Sequence, residues 1–125
     1  MNKLTVLHGL AVAALLGGCT SRANQIPANI HHAVFISLHD PSEAASLTAE
    51  SRELGNIPGV AAWAVGKPVD IGRANIDTSY DVGLYVAFRS VEDYRVYLSH
   101  PIHDRLVTKW RPRWKSILIR DFGGS

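Results

Sequence analysis

Residues 80–94 read YDVGLYVAFRSVEDY, a strand pattern followed directly by the start of a helix. Successive side chains of a strand point to opposite faces, so one face is formed by Tyr80, Val82, Leu84, Val86 and Phe88 and the other by Asp81, Gly83, Tyr85 and Ala87. Ser90 is a favourable N-cap, and Glu92 and Asp93 suit the positive end of a helix dipole. The stretch therefore predicts one strand and a helix that runs to about Ser99.

Towards the N-terminus, a second strand and helix precede this pair. Residues 32–38 alternate in the same way, with one face formed by His32, Val34, Ile36 and Leu38 and the other by Ala33, Phe35 and Ser37. Asp40 then caps a predicted helix, Pro41 suits its first turn and Glu43 completes a capping box. Gly55 is placed to end that helix.

The remaining segments complete a βαββαβ order. Residues 60–65 predict a strand and residues 67–79 a loop, while His100-Pro101 interrupts the second helix and restarts it as far as Arg111. Residues 114–122 predict the last strand. This order favours an α+β, ferredoxin-like sandwich, with a four-stranded antiparallel sheet and helices on one face. Because strands one and three are apolar on both faces, we expect the helix-free face to be covered by a second copy.

The N-terminus has the layout of an export signal. A positive start with Lys3 precedes an apolar run from Leu4 to Leu16, which is too short to span a bilayer. The segment Leu16-Gly17-Gly18-Cys19 resembles the bacterial lipobox, which implies a signal peptide over 1–18 and lipid on Cys19. The alternative is an ordinary secretory signal with an incidental cysteine.

The lipobox resemblance also divides the chain and suggests its location. Residues 19–30 are predicted to be the lipidated cysteine and a tether, residues 31–122 the folded domain and 123–125 a tail. Thr20 follows the cysteine where an aspartate would signal retention at the inner membrane. We therefore expect attachment to the outer membrane, facing the periplasm, if the source has two membranes.

Composition excludes several classes of partner and site. The 125 residues carry a formal charge of +2, of which Lys3 would be lost with the signal peptide, so nucleic-acid binding is not expected. The single cysteine cannot form an internal disulfide. The histidines lack the close spacing of metal ligands, so neither a metal nor another cofactor is predicted.

Four pieces of residues 31–122 resemble the stress-responsive A/B barrel family, called Dabb. His32 stands at the head of strand one, and Ile57-Pro58-Gly59-Val60 resembles the family's turn into strand two. Tyr80-Asp81-Val82 with Phe88-Arg89-Ser90 resembles its third strand and helix cap, and residues 97–103, YLSHPIH, resemble its most distinctive segment. The resemblance implies a homodimeric α/β barrel.

The resemblance also implies a site. Olivetolic acid cyclase, a plant member, closes a polyketide without metal or cofactor, and its tyrosine and histidine resemble Tyr97 and His103. There Tyr97 would be the hydrogen-bond donor and His103 the base. His32 resembles another pocket histidine, whereas Val82 stands where the cyclase has a further one. By strand parity His32 shares a face with Val34, Ile36 and Leu38, which we expect to lie under the helices and hence near Tyr97 and His103.

The predicted function is to bind a small, partly apolar molecule as a membrane-tethered dimer, in a stress-related or accessory role. The ligand-binding residues would be His32, Tyr97, His100 and His103. A cofactor-independent cyclase or lyase that uses Tyr97 and His103 is the alternative, and a purely structural dimer is the second alternative. In the structural case His100 would cap a helix, His103 would bond a carbonyl and Tyr97 would be a core aromatic.

One segment is both basic and aromatic. It contains Arg105, Lys109, Trp110, Arg111, Arg113, Trp114 and Lys115. We expect a solvated helix end whose tryptophans lie in the core or at the dimer interface. Contact with anionic lipid headgroups is the functional alternative.

Overall fold

The structure is a computed structural model that describes residues 28–124. Strand β1 covers Ile30–Leu38, β2 Val60–Gly66, β3 Val82–Phe88 and β4 Trp114–Gly123. Helix α1 covers Ala44–Ser51, α2 Val91–Ser99 and α3 Pro101–Trp110, with short 3-10 turns at Pro41–Glu43, Arg52–Asn56 and Arg111–Arg113. The proposed signal peptide, Cys19 and most of the tether lie outside the described residues.

The four strands form one antiparallel sheet in the order β2-β3-β1-β4. With the helices on one face, this is the ferredoxin-like α+β fold that the order of elements predicted. The pairing of β1 with β4 sets His32 opposite Asp121 and Leu38 opposite Trp114. Within residues 28–124, no helix is long and apolar enough to cross a membrane.

The core lies between the sheet and the helices. It contains the inward-facing residues of β1 and β3 and side chains from all three helices and the turn after α1: Val34, Ile36, Leu38, Leu47, Leu54, Ile57, Val82, Leu84, Val86, Phe88, Tyr97 and Trp110. The face of β1 that the sequence predicted to lie under the helices is therefore the buried one.

Tyr80 does not share that buried face, so the prediction was wrong for this residue. Its ring packs edge-on against Phe35, with centroids 4.9 Å apart, and lies against the backbone of Gly83. β3 begins only at Val82, after a bend. Strand alternation does not extend across that bend, which turns Tyr80 to the helix-free face.

The first helical segment also differs from its prediction. Asp40 accepts a hydrogen bond from the backbone N–H of Ser42 at 3.0 Å, as a cap should. The carboxylate of Glu43, however, pairs with Arg113 instead of closing a capping box. Glu43 thus links the segment after β1 to the segment before β4.

The helix-free face of the sheet is apolar and uncovered in a single copy. Leu118 and Phe122 on β4 are 46% and 56% exposed, and they lie beside Phe35 and Tyr85. Exposed apolar surface of this kind typically marks an interaction site.

Candidate functional site

A cavity of about 520 Å³ lies between the sheet and the helices, and its walls are mostly apolar. Its lining comes from β1, β4 and all three helices, with further residues from the adjoining turns and from β3: His32, Val34, Ile36, Leu47, Ser51, Leu54, Leu84, Tyr94, Tyr97, Leu98, His103, Leu106, Val107, Trp110, Arg111, Trp114, Ile117 and Ile119. Ile117 and Ile119 are 40% and 51% exposed. The cavity therefore reaches solvent along β4, the edge strand.

Polar side chains meet at the end of this cavity that is lined by His32. His32 is 4% exposed, and its Nδ1 lies 2.6 Å from Oδ1 of Asp121 on the neighbouring strand. The hydroxyl of Tyr94, from α2, lies 2.9 Å from the same nitrogen and donates to Oδ2 of Asp121 at 3.0 Å. One carboxylate thus holds both a histidine and a tyrosine in place.

The hydrogen bond to Asp121 selects one tautomer of the neutral His32 ring. An ionised carboxylate can only accept hydrogen bonds, so Nδ1 carries the proton and donates it to Asp121. In the neutral ring, Nε2 is then left with its lone pair. A histidine whose Nδ1–H is held by a carboxylate in this way is oriented to accept a proton or a hydrogen bond at Nε2.

Tyr97 and His103 lie beside this group. Their ring centroids are 4.8 Å apart, and the Tyr97 ring is 6.1 Å from that of His32. Tyr97 is 1% exposed, and among the described residues its hydroxyl has no hydrogen-bond partner. The structure thus brings together three of the four residues predicted to bind a ligand.

The surrounding protein shifts the pKa values of Tyr97 and His103 in opposite directions. Burial, followed by the electrostatic influence of nearby Tyr94, raises the pKa of Tyr97 well above its ordinary value, so the hydroxyl stays a donor. Burial lowers the pKa of His103, and the electrostatic influence of the nearby His32 ring adds to this effect, whereas the Leu98 carbonyl and Asp104 oppose it. A neutral imidazole beside a protonated phenol can take up a proton while the phenol donates a hydrogen bond.

His100 has a different position. Its Nδ1 accepts a hydrogen bond from the backbone N–H of Ile102 at 3.2 Å and so caps α3. It is not among the residues that line the cavity. Its predicted role in ligand binding stays a prediction, while its structural role is visible.

Sequence reasoning missed Asp121 and Tyr94. Asp121 continues the inward face of β4 after Ile117 and Ile119, and β1 and β4 are neighbours in a ferredoxin-like sheet. Strand parity combined with that topology would have placed it beside His32. Tyr94 lies three residues before Tyr97, one helical turn away on the same face of α2.

The basic and aromatic segment is divided between the surface and the core. Lys109 pairs with Glu50 at 2.6 Å, and Glu50 also accepts a hydrogen bond at 2.9 Å from the indole of Trp110, which is 1% exposed. Trp110 and Trp114 both line the cavity. Among residues 28–124, no three His, Cys, Asp or Glu side chains are grouped closely enough to hold a metal ion.

Fold and cavity together define a ferredoxin-like α+β domain with a ligand-sized pocket under its helices. The model of the stress responsive A/B barrel domain family, Dabb, matches residues 30–123. The chain belongs to this family, as the four sequence pieces indicated. No curated protein matches it in sequence.

Solved structures share the fold at low identity. A dimeric ferredoxin-like protein of unknown function from Thermobifida fusca is 19% identical with a TM-score of 0.64, over 78% of this chain and 92% of that one. A Dabb family protein from Mesorhizobium loti is 23% identical with a TM-score of 0.62, over 78% and 98%. The hydroxynitrile lyase of Passiflora edulis is 21% identical with a TM-score of 0.64, over 79% and 95%.

Proposed function

We propose that this chain is an exported Dabb protein, lipid-anchored through Cys19, that binds a small, partly apolar molecule as a homodimer. The observation that carries the binding function is the cavity of about 520 Å³, since ligand pockets commonly enclose about 300–1,000 Å³. Apolar walls with a few convergent polar groups are typical of sites for small organic molecules. A purely structural dimer would have no need of such a cavity.

Two independent features support the homodimer. The helix-free face exposes Leu118 and Phe122 beside Phe35, and an apolar face of this kind is stabilised when a second copy covers it. Several structural neighbours are themselves described as dimeric. Association of two sheets would leave the cavity of each copy on the opposite, helical side.

The anchor is supported by the sequence around Cys19, and its test is separate. The Cys19→Ser chain should fail to take up labelled fatty acid and should leave the membrane fraction, because a lipid anchor needs the thiol. Thr20→Ser is the matched control and should behave as the parent does. Labelling and membrane association retained by Cys19→Ser would exclude the anchor.

Native mass spectrometry of protein purified from its own host tests dimer and ligand together. We expect the mass of two lipidated chains plus a small retained molecule that is released on unfolding. A Leu118→Glu variant should yield monomers, because a charge replaces an apolar contact in the proposed interface. A wild-type monomer would contradict the dimer, and failure to retain or rebind any apolar probe would contradict the ligand site.

A second candidate function is cofactor-independent proton transfer, as in a cyclase or lyase. It is favoured by the pairing of His32 with Asp121 and by the contact of Tyr97 with His103. In this candidate His103 removes a proton from the carbon beside a substrate carbonyl. Tyr97 meanwhile stabilises the developing oxyanion with a hydrogen bond. The likeness to a hydroxynitrile lyase supports the fold alone, so this candidate rests on the side chains.

Deuterium exchange provides an assay that needs no natural substrate. The protein should accelerate incorporation of deuterium beside the carbonyl of 2-decanone in D2O, and Tyr97→Phe and His103→Gln should each abolish the acceleration. Unchanged thermal unfolding of both variants would separate chemistry from structure. Acceleration that survives both substitutions would exclude these residues as donor and base.

A further inference from the structure

The cavity has a second polar end, far from His32. Arg111 and Trp114 both line it there, next to the point where α3 ends and β4 begins. The indole N–H of Trp114 is buried and has no hydrogen-bond partner among the described residues. The Arg111 side chain is exposed and, within residues 28–124, makes no ion pair or hydrogen bond, unlike Lys109 and Arg113 nearby.

The buried indole N–H of Trp114 calls for an acceptor. A buried donor without a partner is costly, and such groups in native proteins are usually satisfied by a bound molecule or water. Arg111 supplies one full positive charge at the mouth of an apolar cavity. One guanidinium and one indole N–H match the single charge and two oxygens of a carboxylate.

The two ends of the cavity are separated by a distance that limits the ligand. His103 and Arg111 lie eight residues apart along α3 and the turn after it, which is about 12 Å at 1.5 Å per residue. An extended alkyl chain advances roughly 1.25 Å per carbon, given its bond lengths and angles. About ten carbons therefore join the two ends.

The sheet side of the cavity has a similar length. β1 lines the cavity from His32 to Ile36, a separation of four residues that spans about 13 Å at 3.3 Å per residue. A ligand that contacts both polar ends must therefore be extended along β1.

We propose that the ligand is a chain of about ten carbons with a carboxylate at one end and an alcohol or carbonyl oxygen near the other. The carboxylate pairs with Arg111 at the mouth and accepts a hydrogen bond from Trp114. The distal oxygen lies between Tyr97 and His103. This class of ligand rests on the binding function proposed above and makes it specific.

Three ten-carbon probes separate the parts of this proposal. 10-Hydroxydecanoate has both polar ends, 2-hydroxydecanoate has the same atoms with the hydroxyl beside the carboxylate, and 1,10-decanediol lacks the carboxylate. Binding is followed by tryptophan fluorescence of the full chain in lipid nanodiscs, with empty nanodiscs subtracted. Trp110 and Trp114 line the site and report directly on its occupancy.

We expect 10-hydroxydecanoate to bind most tightly. Arg111→Gln should weaken its binding about tenfold, as expected for the loss of a charged hydrogen bond, and should leave the diol unchanged. Arg105→Gln removes an exposed arginine of α3 that does not line the cavity, and should change neither. Tyr97→Phe should erase the preference for 10-hydroxydecanoate over its isomer, with folding of each variant checked by circular dichroism.

Several results would overturn the proposal. Equal losses in Arg111→Gln and Arg105→Gln would show a general charge effect, and equal binding of the diol and 10-hydroxydecanoate would show that no carboxylate is recognised. Tighter binding of decyl phosphate would assign a different head group. In each case the apolar binding function survives, whereas failure of all probes, the diol included, would contradict that function too.

Discussion

Replacing Asp121 by alanine should destabilise the domain and remove the preference of the neutral His32 ring for a proton on Nδ1. The carboxylate accepts hydrogen bonds from His32 Nδ1 at 2.6 Å and from the Tyr94 hydroxyl at 3.0 Å. A hydrogen bond to a charged group contributes about 1.5–3 kcal/mol when it is buried. The Asp121 side chain is 42% exposed, so water replaces part of each bond and we expect a net loss of about 2 kcal/mol.

Two measurements test this prediction. Thermal unfolding should shift down by about 8–16 °C, since 1 kcal/mol corresponds to roughly 4–8 °C in a domain of this size. Nitrogen NMR should show the proton of neutral His32 on Nδ1 in the parent chain, and that preference should disappear in the variant. Glu92→Ala, which removes an exposed ion pair with Arg95 at 3.7 Å and an exposed charge in the first turn of α2, is the control and should change stability by less than about 1 kcal/mol.

The reasoning would be refuted in either of two ways. Equal losses of stability in Asp121→Ala and Glu92→Ala would mean that the carboxylate contributes nothing beyond an ordinary surface charge. A parent His32 that carries its proton on Nε2 would mean that Asp121 does not accept from Nδ1. The second result would also remove His32 as a group that offers a lone pair to the cavity.

Two further predictions concern packing and pH. Gly55→Ala should lower the free energy of unfolding by about 1–3 kcal/mol, because the new methyl group would lie 2.1 Å from Nε1 of Trp63. Gly66→Ala is the control, since a methyl group at that position would have nothing within 4 Å. Equal urea midpoints of the two variants would contradict the predicted clash. The fold lowers the pKa of His103 from its ordinary 6.5, mainly through burial. The unfolded chain therefore binds a proton at His103 more readily than the folded chain does. As a result, the free energy of unfolding should rise with pH just below 6.5. His103→Gln should flatten that rise in urea titrations between about pH 5 and 7, and an unchanged slope would show that His103 titrates normally.

The sequence predicted the elements of this fold closely because its local signals agree with one another. The Ser90 cap begins α2 as expected, and the His100-Pro101 break separates α2 from α3. Tyr80 was misplaced because alternation shows the faces of a strand but not the residue at which the strand begins. Glu43 was misassigned because its partner, Arg113, is distant in sequence and no local pattern points to it.

The site was less predictable than the fold for a related reason. Family resemblance and strand parity brought His32, Tyr97 and His103 together, as the structure does. The cavity itself depends on how side chains fill the space between sheet and helices, which no spacing in the sequence records. The role of Asp121 depends on which strands are neighbours, so it becomes visible only once the topology is known.

The two polar ends of the cavity depend on the register of a single strand. β4 carries Trp114 at one end and Asp121 at the other, and the pairing of β1 with β4 shifts by one residue between Ser37 and Leu38. A regular ladder that sets Ser37 opposite Ser116 would continue with Leu38 opposite Lys115, which would turn a lysine towards the helices. The bulge sets Trp114 there instead, as bulges near functional sites often redirect a side chain. One extra residue thus gives this end of the cavity an apolar wall with a single N–H donor, and leaves Arg111 as the cation that lines it.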